Sequence, residues 1–160
     1  GYVTVGAMRW HYRDEALLRL FIPAYAIHVA EEWFGGFTTW IEQVAGGPMS
    51  GAAFLVVNAV AMMLLVIGIR AASRAESHGW IAVTIATIAI INTAAHAAGA
   101  ALTQSYSPGL VSAVVLFAPL GSLTMIRALD HAPRGTIARG VIVGLVLHAF
   151  VFVAAFASTR

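Results

Sequence analysis

The chain has no cysteine and no lysine, and only 10% of its 160 residues carry charge. Without cysteine there are no disulfides and no thiolate ligands, so any bound metal must be held by His, Glu, Asp or Asn. Soluble domains carry about 25% charged residues, and the shortfall excludes an ordinary water-soluble globule. What stands in place of charge is apolar: 60% of the residues are hydrophobic and the mean hydropathy is +0.85. That is the composition of a polytopic membrane protein. The nine basic residues are all Arg and sit at the ends of apolar runs. They read as topology determinants, and no nucleic-acid partner is expected despite a pI near 9.5. A cleavable signal peptide is not expected, because the first apolar run carries Glu31 and Glu32 and has no small-residue exit. Arg-only basic usage and abundant Ala point to a GC-rich bacterial genome, hence a bacterial cytoplasmic membrane.

About 20 helical residues cross a hydrocarbon core of roughly 30 Å. Five runs approach that length, at residues 17–34, 52–69, 80–102, 110–126 and 137–157. Gly- and Pro-containing breakers separate them, so an all-α membrane bundle of five antiparallel-connected helices is expected. Residues 1–16 form a cytoplasmic N-terminal segment and 17–157 a single transmembrane domain. Arg9, Arg13, Arg19, Arg70, Arg74, Arg127, Arg134 and Arg139 fall on one side, whereas connections 35–51 and 103–109 contain no Arg. By the positive-inside rule the N-terminus is cytoplasmic and the C-terminus external, with Arg160 on the less favoured side. Trp10 and Trp80 then mark the inner interface, Trp33 and Trp40 the outer one. Pro23 and Pro119 read as helix kinks. His11, His78 and His131 fall in cytoplasmic loops and read as solvated.

Within the first run the stretch Ala26-Ile-His-Val-Ala-Glu-Glu-Trp33 places His28, Glu31 and Glu32 in hydrocarbon, where each carboxylate costs roughly 2.5–3.5 kcal/mol. Such groups need partners, protons or a metal. At 1.5 Å of rise per residue, Glu31 lies about 21 Å from the cytoplasmic start of its helix and His96 about 24 Å from Trp80. Asn58, Asn92 and His148 fall at comparable depth, so several helices present polar groups to one level in the outer half of the bilayer. Glu31 and Glu32 flank His28 at about 60° and 40°, with Tyr25 on the Glu32 side. On the third helix Asn92, His96 and Thr103 share a face, and Gly140, Gly144 and His148 form a small-residue seam on the fifth.

His28-x-x-Glu31-Glu32, Asn92-x-x-x-His96 and Tyr106-Ser107-Pro108-Gly109 resemble, in order and on a matching hydropathy profile, the small integral membrane proteins known by their HXXEE motif. The resemblance covers roughly residues 17–130. It implies membrane character and a site built from His28, Glu31, Glu32, Asn92, His96 and Tyr106, without supplying a reaction.

Three mechanisms suit these residues. In the first, one divalent metal, zinc or iron, is held by His28, Glu31 or Glu32, and His96, with His148 as a further ligand, and serves hydrolysis or oxidation. In the second no metal is present. Glu31 and Glu32 then work as an acid/base pair, with His28, Tyr25, Asn92 and Tyr106 as further catalytic groups and Asn58 lining the pocket. Such a pair would shift a double bond, open an epoxide or cyclise a polyene. In the third the same groups pass protons in a transporter, which in so small a bundle requires a homo-oligomer. The expected substrate of either enzyme is a small lipid-soluble molecule that enters from the membrane lipids.

Overall fold

The computed structural model describes residues 12–74 and 78–157, and among them there are helices and no strands. The elements are α1 (Tyr12–Arg19), α2 (Phe21–Phe34), the one-turn helices α3 (Phe37–Trp40) and α4 (Glu42–Ala45), and α5 (Gly51–Ala72). They continue with α6 (Gly79–Thr103), α7 (Leu110–Ser112), a π-helical turn (Ala113–Phe117), α8 (Ala118–His131) and α9 (Arg134–Ala157). Expectations placed on Arg9, Trp10, His11 and Arg160 lie outside the described residues, as does most of the segment 1–16.

Four helical stretches are long and apolar enough to cross a membrane, not five: Gly51–Ala72, Gly79–Thr103, Leu110–His131 and Arg134–Ala155. The first expected span is divided. Pro23 has no N–H to return to the carbonyl of Arg19, so the chain tightens at Leu20, whose amide reaches back to Leu17 O at 3.2 Å. The apolar piece left, α2, has 14 residues, about 21 Å of helix and short of a full crossing. Pro119, which also lacks an N–H for the helical ladder, acts in the opposite sense later in the chain. The turn before it widens to the π form, and Thr93 Oγ1 hydrogen-bonds to Ala113 O in that turn at 3.1 Å.

Helix α6 is the central pillar, in contact with α5, α8 and α9. Its seam with α9 is set by the glycines the sequence singled out: a Cβ on Gly140 would lie 2.5 Å from Val83 Cβ, and one on Gly144 2.8 Å from Thr87 Cβ. Both contacts advance by four residues in the same direction, so α6 and α9 run parallel. Thr84 Oγ1 lies 3.1 Å from Gly140 O across this seam, and the Arg139 guanidinium sits 4.3 Å over the Trp80 ring. By contrast α2 and α5 are antiparallel, since Tyr25 meets Asn58 while Trp33 covers Gly51. One apolar core joins Leu18, Phe21, Ala24, Ile69, Ala82, Ile85 and Phe117. The outward faces of α5, α8 and α9 carry exposed Leu, Val, Ile and Phe, as a lipid-facing surface requires. His78 departs from its expected solvation, as its Nδ1 lies 3.0 Å from Ala71 O.

Candidate metal centre

His28 and Glu32 stand four residues apart on α2, one above the other on the same face. That face is buried against α6 and the π turn: His28 is 2% exposed, Glu32 7% and His96, on α6, 6%. Their inward atoms converge on one point. His28 Nε2 lies 3.5 Å and His96 Nε2 3.4 Å from the same atom, Glu32 Oε1, and one ligand atom from each of the three residues fits within 4.8 Å of the others. The two imidazoles meet edge to face at 4.9 Å, and Phe117 closes one wall 4.6 Å from the His28 ring.

Each histidine is held from behind by a buried serine. His28 Nδ1 is 2.9 Å from Ser112 Oγ, and His96 Nδ1 3.1 Å from Ser107 Oγ. Ser112 donates its own hydrogen to Gly109 O at 3.2 Å, so it accepts from His28 Nδ1–H. In the neutral ring Nε2 then carries a lone pair. That atom is buried and forms no hydrogen bond within the protein.

The serines arrive on a tight turn. Leu110 N donates to Ser107 O at 3.0 Å, with Pro108 at the second position and Gly109 (φ 99°, ψ −13°) at the third, which is a type II turn. Glycine is required here twice over. Its φ is positive, and a Cβ would lie 2.7 Å from His96 Cε1, 2.8 Å from His28 Cε1 and 2.9 Å from Glu32 Cγ. Thus the turn backbone lies directly against the three converging side chains.

Glu31 belongs elsewhere. A residue along the helix from Glu32 points about 100° away, and its carboxylate accepts from Val111 N at 3.0 Å, Ser112 N at 2.7 Å and the Tyr106 hydroxyl. It therefore anchors the turn that covers the cluster. Tyr106 stands in the connection outside the spanning helices, and its phenol is pushed up to about 12 by partial burial and by the Glu31 carboxylate.

The structure brings together His28, Glu32 and His96, and separates the remaining candidates. Glu31 and Tyr106 form the anchor beside the cluster. Tyr25 donates to Asn58 Oδ1 at 2.6 Å while Asn58 Nδ2 donates to Phe54 O at 3.0 Å, a clamp between α2 and α5. Thr103 returns to Gly99 O and meets Ser105. His148 and Asn92 are outside the three-residue group, and His148 Nε2 and Asn92 Oδ1 are buried without a hydrogen bond in the protein. Ser112, Ser107, Gly109 and Phe117 were not singled out from the sequence as functional. The Ser107-Pro108-Gly109 turn signal was available, but nothing local distinguishes Ser112 or Phe117.

A family described as "Protein of unknown function with HXXEE motif" matches residues 19–124. No curated protein and no solved structure is matched by the chain.

Proposed function

This chain belongs to the HXXEE-motif family, and we propose that the motif's His28 and Glu32, with His96, hold one divalent metal in a membrane enzyme acting on a small lipophilic substrate. The observation that carries this reading is the pair of distances at Glu32 Oε1, 3.5 and 3.4 Å. They are longer than N–H···O hydrogen bonds of about 2.7–3.2 Å. They match the edge of a tetrahedron, about 3.3–3.4 Å for metal–ligand bonds of about 2.0–2.1 Å. An octahedral arrangement at those bond lengths would draw neighbours to about 2.9 Å, so the two distances suit a tetrahedral zinc, with iron as the alternative. A lone pair on His28 Nε2 facing a carboxylate oxygen in a buried site is repulsive, and a cation between them relieves it. The two serines act as the outer partners that fix ring orientation in metal sites.

Three protein ligands leave a zinc position open to substrate, where the metal supplies Lewis-acid catalysis. This chain's residues would hold the ion, exclude water through Phe117 and the Gly109 turn, and admit substrate from lipid. The metal-free alternative places Glu31 and Glu32 in one pocket, and their separate partners speak against it. A transport path would need polar steps through the core of Leu18, Phe21, Ala24, Ile69, Ala82 and Ile85, which offers none.

We further infer that α1 and α2 together make a fifth crossing, since residues 12–34 span roughly 34 Å as helix. With the Arg-rich connections inside, the N-terminus is cytoplasmic, the C-terminus external and the metal centre lies in the outer half of a bacterial cytoplasmic membrane.

Metal analysis of detergent-purified protein tests the central claim. We expect close to one equivalent of zinc per chain in the wild type and a loss of at least tenfold in the His28→Ala/His96→Ala double variant, with helix content unchanged. Equal metal content in the two proteins would remove the reading.

A further inference from the structure

Intramembrane polar side chains in this bundle are otherwise satisfied locally. Thr84, Thr87, Thr93 and Thr124 return their hydroxyls to carbonyls one turn earlier, Tyr25 and Asn58 bond each other, and His28 and His96 meet serines. Three buried atoms are exceptions among the described residues: His28 Nε2, which faces Glu32 in the cluster already described, and Asn92 Oδ1 and His148 Nε2. The last two sit at one level: with Gly140 against Val83 and Gly144 against Thr87, the parallel register of α9 on α6 puts His148 opposite Ile91, next to Asn92. Asn92 is one helical turn before His96 on the same face of α6. Two unsatisfied polar groups, one on α6 and one on α9, thus lie at one height, about one helical turn from the metal centre.

Their chemistry selects a ligand. Asn92 Oδ1 only accepts, whereas a neutral imidazole offers Nε2–H as donor. A single hydroxyl group can serve both, donating to the one and accepting from the other. A carboxylate or phosphate has no hydrogen for Asn92 and carries charge that is costly at this depth, and an ammonium has no lone pair for His148. Lipid-exposed Leu145, Val151 and Phe152 on the same helix lead a hydrocarbon chain out into the bilayer.

We propose that Asn92 and His148 form the substrate subsite for the hydroxyl group of a lipophilic alcohol, one helical turn from the metal centre. The proposal rests on the reading that the substrate enters from lipid, and it names the class of that substrate.

The test uses the full chain in nanodiscs with ¹⁵N-labelled histidine, titrated with 1-dodecanol, dodecyl methyl ether or n-dodecane. The alcohol is expected to shift the His148 Nε2 resonance saturably. The ether, which accepts but cannot donate, should bind about tenfold more weakly, and the alkane should leave the resonance unmoved. Asn92→Leu should weaken the alcohol by about tenfold. Equal responses to alcohol and ether in the wild-type protein, or no response to either, would overturn the proposal and assign both atoms to bound water. Zinc content measured on the same samples keeps the two readings apart: a metal-free protein that responds to dodecanol loses the metal centre and keeps the subsite, and a zinc-loaded protein that ignores dodecanol does the reverse.

Discussion

Replacing Gly109 by Ala should abolish metal binding while leaving the bundle assembled. The added methyl would start 2.7–2.9 Å from His96 Cε1, His28 Cε1 and Glu32 Cγ, so three side chains must each retreat by about 0.5–0.7 Å to reach ordinary contact at 3.4 Å. Metal–ligand distances tolerate about 0.2 Å. No single rotamer change relieves all three contacts, because each histidine is tied behind to a buried serine. Positive φ adds a backbone penalty of about 1–2 kcal/mol for a residue with a Cβ, and overpacking a further 1–3 kcal/mol or so, roughly. A control separates the two terms. Gly36 has φ +80°, and a methyl group added there would meet nothing within 4 Å, so Gly36→Ala carries the backbone penalty alone. Competition with a coloured zinc chelator and thermal unfolding, run on both variants, give the readout. Gly36→Ala should lose about 1–2 kcal/mol of stability and keep wild-type zinc affinity, whereas Gly109→Ala should lose more stability and at least 100-fold in affinity. Wild-type affinity in Gly109→Ala would refute the placement of the turn against the three ligands.

Two further outcomes follow from the same geometry. Ser112→Ala removes the acceptor of His28 Nδ1–H and should lower zinc affinity by about 10–100-fold, read by the same competition assay; an unchanged affinity would mean that the serine does not orient the ring. Partial burial and the Glu31 carboxylate push the Tyr106 phenol up to about 12 from an ordinary 10, so its contribution to stability should be complete below pH 10 and lost as pH rises from 10 to 12. Unfolding midpoints between pH 9 and 12 should therefore fall more steeply in the wild type than in Tyr106→Phe, and parallel curves would show that the phenol is not coupled to Glu31.

Much of this arrangement was legible in the chain itself. Composition alone gives an all-helical membrane bundle, and the spacing of Gly140, Gly144 and His148 anticipates the α6–α9 seam, because close backbone approach depends only on the absence of a side chain at those positions. His28 stood out as an ionisable group in an apolar run, and His96 was matched to that run by depth, a one-dimensional quantity that helix rise converts directly into height. What depth cannot give is rotation between helices. Asn58, His148 and Asn92 share roughly the level of the His28–Glu32–His96 cluster, yet Asn58 pairs with Tyr25 and the other two stand outside the three-residue group, so height overstated the number of groups that meet. The break at Leu20 was signalled by Pro23, but a window of apolar residues averages over a single missing N–H. Ser112 was invisible for another reason: it reaches His28 across 84 positions, and nothing in a lone serine records a distant partner.

The adjacency of Glu31 and Glu32 is where sequence and geometry diverge most instructively. Two neighbouring acids in hydrocarbon suggest a pair sharing a proton, since like charges close together in a low dielectric raise each other's cost. Adjacent positions on a helix, however, point about 100° apart, which gives each carboxylate its own sector. Glu32 turns to His28 and His96. Glu31 turns to the amides of Val111 and Ser112 and to Tyr106, where its charge is spread over three donors. Those donors belong to the segment that also supplies Gly109 against His28, Glu32 and His96 and Ser112 behind His28. One acid therefore faces the cluster while its neighbour holds in place the turn that shapes it, and the order His-x-x-Glu-Glu is what a single helix needs to do both: position four later for the carboxylate that meets the histidines, position three later for the anchor.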